Sequence, residues 1–143
     1  MATDSAGLWD LVGTTGRGVL VTLKRDGRPQ LSNVDYFAEP AAGLIRVSTT
    51  DGRAKVHNLR RDPRASLYVD GPNGRSYVVL EGKAELTAVA QNPNDATVEA
   101  LVDYYRTASG EHPDWDDYRR AMVADRRLLF TMTVDHAYGM PKP

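Results

Sequence analysis

The sequence predicts a mainly β chain of the α+β class: a six-stranded antiparallel barrel with a few short helices. Three observations carry this. Apolar, β-branched runs of five to ten residues recur along the chain, too short for convincing helices. Gly, Pro and Asp clusters punctuate them as turns. Helical periodicity is confined to three stretches, without the regular strand–helix alternation of a parallel α/β sheet.

The first strand is read over 18–24, where Val19, Leu20, Val21 and Leu23 crowd together before the Asp26-Gly27 hairpin signal. The second, 30–37, sets Leu31, Val34 and Tyr36 against Ser32, Asn33 and Asp35. Pro40 and Gly43 mark a loop before a third strand over 44–49. A short helix is expected from Arg53 to Arg61, ended by Asp62-Pro63 because the residue before proline is driven out of helical geometry. Strands follow over 65–69 and 77–86, separated by the Gly71–Gly74 turn, with Gly82 a candidate bulge. Val98, Leu101, Val102 and Tyr105 then recur at helical spacing, capped by Asn94 or Asp95. A third helix is read over 114–124, with Trp115, Tyr118 and Met122 on one face, and a last strand over 128–134. Asp114, Asp116 and Asp117 read as acids suited to a helix start, and Trp9 and Trp115 as packing residues. One domain over 1–143 accommodates all of it.

Composition narrows the chemistry. With no cysteine, disulfides, thiolate nucleophiles and thiolate metal ligands are excluded. The three histidines lie far apart, so no metal site is expected. No apolar run reaches the roughly 20 residues of a membrane span, and Met1–Gly7 lacks the layout of a signal peptide. A cytoplasmic protein with no membrane partner is the expectation. The net charge of −1 supplies no global attraction for nucleic acid, and no DNA-reading module is recognisable. Nucleotide-binding glycine motifs and a nucleophile elbow are equally missing.

The informative segment is Ser48 to Arg64. Ser48, Thr49 and Thr50 end a strand, Gly52 permits a tight turn, and a helix opens with Arg53-Ala54-Lys55. Cations at a helix N-terminus oppose the macrodipole by about 0.3–1 kcal/mol each. A bound anion reverses that sign, since backbone N–H groups, hydroxyls, a guanidinium and an ammonium then converge on it. Charge alone equally admits a solvated basic helix.

Taken with Gly27-Arg-Pro-Gln-Leu-Ser-Asn-Val34, Asn58-Leu59 and Arg61-Asp-Pro-Arg-Ala65, this segment resembles the pyridoxamine-5′-phosphate-oxidase-like split-barrel family. Gly18–Leu23 and Tyr77–Gly82 extend the likeness over nearly the whole chain, and it looks closest to the actinobacterial branch that uses the deazaflavin F420. The resemblance implies a split barrel, a homodimer, and two cofactor sites between subunits. It implies that Arg53 and Lys55 grip the cofactor phosphate, with Ala54, Ser48, Thr49 and Thr50 beside it. Gln30, Leu31, Ser32 and Asn33 are then expected to line the ring, with Tyr77 reaching over from the other subunit.

F420 carries a phospholactyl–oligoglutamate tail, for which Arg60, Arg61, Arg64, Lys24, Arg25 and Arg28 are candidate partners. The chain departs from true pyridoxamine phosphate oxidases in its ending, His136-Ala-Tyr-Gly-Met-Pro-Lys-Pro143, which lacks their arginine–histidine signature. The expected activity is hydride transfer from reduced F420 to an electron-poor, small-molecule organic acceptor. His57, His136 and Tyr138 are the weak candidates for a catalytic proton donor. The alternatives are an FMN-dependent enzyme on the same fold and a non-catalytic F420 carrier.

Overall fold

The computed structural model describes residues 5–142; the first four residues of the N-terminal segment read above, and the final proline, lie outside it. Eleven-residue β2 (Pro29–Glu39) and six-stranded closure dominate the architecture, with β1 (Thr15–Leu23), β3 (Leu44–Thr50), β4 (Arg64–Asp70), β5 (Tyr77–Leu86) and β6 (Arg127–Met140). All neighbours are antiparallel, and the strands close in the order β1-β2-β3-β6-β5-β4. Four helices complete the chain: α1 (Ser5–Val12), α2 (Ala54–Arg61), α3 (Ala96–Ser109) and α4 (Trp115–Ala124).

Period-two patterning builds the interior. Leu20, Val34, Tyr36, Ile45, Val47, Leu67, Val69, Val78, Leu80, Phe130 and Met132 point inward and are buried. Each large aliphatic side chain so buried contributes about 1.5–3 kcal/mol relative to exposure. α1 closes one end of the barrel: Leu8 and Val12 join the core, and the Tyr36 hydroxyl donates to Val12 O at 2.6 Å. Burial pushes the Tyr36 phenol above its ordinary pKa. A second cluster lies outside the barrel, where Val98, Leu101 and Val102 of α3 and Tyr118 of α4 cover Leu129 of β6.

The helix caps follow the sequence reading. Asp95 accepts from Val98 N at 2.8 Å, and Asp114 accepts from Asp117 N at 3.0 Å. Asp26-Gly27 makes the hairpin, with Gly27 at φ 88°. Three elements differ from expectation. The sequence reading assigned no element to 8–12, which is the apolar face of α1, stopped by Gly13 at φ 67°. β6 runs six residues past the expected 134, because a bulge bends it and keeps it paired to β5. That irregularity falls at Gly82 as expected, but the extra residue, Asp135, belongs to β6: Glu81 faces His136 whereas Gly82 faces Val134.

Pairing between β2 and β3 is brief. Only Phe37, Ala38 and Glu39 meet Arg46, Ile45 and Leu44. From there β2 continues against β1 and β3 against β6, so the two strands part and leave a cleft between them.

Gly82 faces backbone so closely that a methyl group there would stand 1.9 Å from Thr133 O. Gly82→Ala is expected to lower stability by about 1–3 kcal/mol, the usual cost of overpacking, read as a lower urea midpoint. An unchanged midpoint would show that the bulge yields to a side chain.

Candidate cofactor cleft

The cleft between the parted strands measures about 540 Å³. Ser32, Asn33, Val34 and Asp35 of β2 form one wall; Val47, Ser48, Thr49 and Thr50 of β3 form the other. Arg53 and Lys55 stand at its α2 end, with Tyr104 of α3 and Arg127 of β6 at the far side. Seven residues read from sequence as cofactor contacts are thus brought together: Ser32, Asn33, Ser48, Thr49, Thr50, Arg53 and Lys55.

The local reasons are explicit. Thr50-Asp51-Gly52 turns the chain out of β3, with Gly52 at φ 92°, and Asp51 N donates to Arg126 O at 2.9 Å. Both oxygens of the Asp51 carboxylate are held, by Arg60 Nη1 at 3.0 Å and Arg126 Nη2 at 2.8 Å. These two guanidiniums hold the carboxyl below its ordinary pKa. The expected helix start moves by one residue: Arg53 is the N-cap, in extended geometry without a side-chain cap. Its Nε donates instead to Thr50 Oγ1 at 3.1 Å, which aims the guanidinium along the end of β3. Lys55, in the first turn of α2, reaches across the cleft to Ser32 Oγ at 3.4 Å. Burial holds the Lys55 ammonium below its ordinary pKa, and the Arg53 guanidinium pushes the same way.

Buried side chains bolt α2 to the first hairpin. Asn58 Nδ2 donates to Thr22 Oγ1 at 3.1 Å, and Thr22 Oγ1 donates to Gln30 Oε1 at 3.1 Å. Arg61 Nη2 donates to Leu23 O at 2.6 Å and to Asn58 Oδ1 at 3.2 Å. Val56 and Leu59 sit on the buried side of the helix. The cation pair is therefore fixed relative to β2 by a polar network as well as by packing.

Other sequence-read residues lie elsewhere. Gln30 joins the network under α2 rather than the cleft lining. Leu31 is 59% exposed and lines an apolar groove on the barrel exterior with Val19, Val21, Tyr68, Val79 and Tyr138. Tyr77 stacks on Tyr68 at 5.8 Å, at the same side of the barrel. Ala54 and His57 are exposed on α2, and His136 lies next to Tyr138 on β6; none of the three lines the cleft. Arg60, Arg61 and Arg64, read from sequence as partners for a ligand's carboxylates, each have a partner within the chain. Arg60 holds Asp51, Arg61 holds Leu23 O and Asn58, and Arg64 pairs with Asp62 at 2.8 Å. Tyr104 and Arg127 were missed, since only the packing of α3 and the β3–β6 register bring them to the site.

Among the described residues no cluster of His, Cys, Asp and Glu is arranged to hold a metal ion. No helix there is long and apolar enough to cross a membrane. What the cleft offers is three cations and several hydroxyls, beside two strand edges that have left one another.

Residues 10–140 match the family model described as pyridoxamine 5′-phosphate oxidase. Solved structures reproduce the fold. One described as an F420 reductase is 21% identical, with 92% of this chain and 96% of that chain covered and a TM-score of 0.63. A conserved hypothetical protein from Mycobacterium tuberculosis is 25% identical, with 98% and 86% covered and a TM-score of 0.69. A heme binding protein from Mycobacterium smegmatis is 20% identical over 99% of this chain but 55% of its own, with a TM-score of 0.70. By the match over nearly its full length, and by the split barrel that carries it, the chain belongs to the pyridoxamine 5′-phosphate oxidase family.

Proposed function

We propose that this chain is a reductase dependent on reduced F420, working as a homodimer on a small, electron-poor organic acceptor. The observation that carries the reading is the convergence of Arg53, Lys55, Ser48 and Thr50 where β2 and β3 part. That donor set fits a phosphate: a guanidinium and an ammonium supply charge, and two hydroxyls and the α2 N-terminus supply hydrogen bonds. Ser32 and Asn33, with the free edges of β2 and β3, are placed to meet the polar rim of a planar ring. The family includes oxidoreductases, and one structural neighbour is described as an F420 reductase.

When bound, reduced F420 supplies a hydride. The chain's own part is placement. Arg53 and Lys55 anchor the phosphate end, the Asn58–Thr22–Gln30 network keeps that anchor in register with β2, and Val34 and Val47 provide apolar wall. Proton supply falls to solvent or to cleft residues, since His57, His136 and Tyr138 do not line it. This last observation also favours a second reading, a non-catalytic F420 carrier. Cofactor binding without turnover of any acceptor would select it.

Assembly is argued from the apolar groove of about 520 Å³. Leu31, Tyr68, Tyr138 and Met140 are exposed on the barrel, an arrangement that marks an interaction surface. A second copy seated there would also meet Tyr77, which stacks on Tyr68 of the groove.

Titration with F420 and FMN tests the cofactor. F420 is expected to bind more tightly, with Arg53→Ala and Lys55→Ala each weakening it about tenfold or more, as for loss of one hydrogen bond to a charged group. Tighter FMN binding would transfer the assignment to flavin, and binding of neither would remove it. The pH dependence has a definite sign. Lys55 is depressed in the free protein, and a phosphate partner raises it, so binding takes up a proton. Affinity is expected to be complete below the depressed pKa and to fall as pH rises through it, with Lys55→Arg flattening the profile. Sedimentation tests the groove: the wild type should be a dimer, and Leu31→Glu with Tyr138→Glu a monomer. A monomeric wild type would sink the assembly.

A further inference from the structure

We infer that Arg127 and Tyr104 form a second anion subsite in the cleft, next to Arg53 and Lys55. The subsite rests on the cofactor reading for its ligand but not for its existence. Arg127 Nε is buried without a hydrogen-bond partner among the described residues. The Asp125 carboxylate oxygen stands 4.0 Å away, beyond hydrogen-bond reach. The Arg127 side chain as a whole is one-third exposed and lines the cleft, so its guanidinium can meet a ligand oxygen there.

Register places this donor. Arg127 is the cross-strand partner of Thr50, so the two side chains share a face of the β3–β6 pair. Thr50 Oγ1 in turn accepts from Arg53 Nε. Two guanidiniums therefore flank one threonine, Arg53 from the α2 side and Arg127 from the β6 side. Tyr104 adds a hydroxyl to the same cleft lining, able to donate to an anion. Burial pushes that phenol above its ordinary pKa and nearby Asp35 adds to this, so it stays a donor, while the Ser48 N–H and Arg127 oppose the rise. Asp35 is the carboxylate of the cleft, and its charge is balanced by Arg17 at 3.1 Å.

The ligand chemistry follows. A molecule held by both pairs carries two anionic groups, each a phosphate or a carboxylate, separated by a short spacer. A phosphate followed by a carboxylate-bearing tail meets that description. The second group has two possible sources, the tail of the cofactor or an acidic acceptor beside it.

The experiment reads the subsite first and its source second. Arginine Nε–H resonances of the full chain are followed by ¹H–¹⁵N NMR as orthophosphate is added, with Arg127→Gln assigning its own signal. A saturable shift of the Arg127 resonance that survives in Lys55→Ala is expected. No saturable shift there overturns the proposal. Tyr104→Phe, which keeps the ring in place, should weaken the same isotherm severalfold; an unchanged isotherm would remove Tyr104 from the subsite. F420 and FMN titrations of Arg127→Gln then locate the source. A loss of about tenfold for F420 against less than about twofold for FMN assigns the group to the cofactor tail. An unchanged F420 affinity with a raised KM for anionic acceptors assigns it to the acceptor. An equal loss for both ligands marks Arg127 as structural and overturns the proposal. Should neither F420 nor FMN bind while orthophosphate still shifts Arg127, the cofactor reading falls and the subsite stands.

Discussion

The parting of β2 from β3 is the constraint on which the rest of the structure depends. A closed barrel satisfies its backbone by pairing every strand, yet here β2 and β3 share only three residue pairs before separating. Strand edges left open inside a fold must find other partners or stay in reach of water. At the end of β3 a later part of the chain supplies one: Asp51 N goes to Arg126 O. The parted strands stay apart because both are committed elsewhere. β2 is paired along nine positions to β1, and β3 along its full seven to β6.

Charge distribution follows the same geometry. Most arginines near the cleft are satisfied within the chain: Arg60 and Arg126 by Asp51, Arg64 by Asp62, and Arg61 by a carbonyl and an amide. Three cations line the cleft instead, Arg53, Lys55 and Arg127. Two of them crowd a helix N-terminus, where the macrodipole disfavours them, and Lys55 is desolvated besides. An arrangement that opposes folding at one place and is matched by so much local pairing around it is what the proposed ligand site calls for. The Asp51 clamp also fixes the turn from which Arg53 emerges, so the neutralised arginines position the ones left facing the cleft.

Local chemistry was legible in the sequence, and long-range register was not. Asp95 and Asp114 cap their helices because a carboxylate before an amphipathic run has few other uses, and β5 spans 77–86 as its β-branched run indicates. Arg53, Lys55 and the Ser48–Thr50 hydroxyls were legible because they sit within one strand–turn–helix. Arg127 was not: it reaches the cleft only through pairing with Thr50, 77 positions earlier in the chain, a register that no local pattern encodes. Tyr104 stands beside the stripe residues Leu101, Val102 and Tyr105, and nothing in the periodicity separates a residue that packs from one that turns toward a neighbouring strand edge. α1 escaped notice because its apolar face is only Leu8, Leu11 and Val12, too brief for periodicity to show. The far end of β6 was lost for another reason, since the Asp135 bulge breaks the alternation by which a strand is read.

Strand β2 links the two surfaces that the proposed function requires. Ser32 and Asn33 line the cleft, and Leu31, one residue away, lines the apolar groove. Ser32 leaves β2 on the face opposite Leu31 and Asn33 on the same face, and with no β3 neighbour here one short segment serves both surfaces. A partner docked on the groove would press on the same residues that border the cleft. Assembly and ligand binding are then coupled through a segment of three residues, with no moving domain needed. The Asn58–Thr22–Gln30 chain and the Lys55–Ser32 hydrogen bond tie that segment to α2. A shift of β2 on docking would therefore be felt at the Lys55 ammonium, whose charge is the part of the cleft most sensitive to how dry it is.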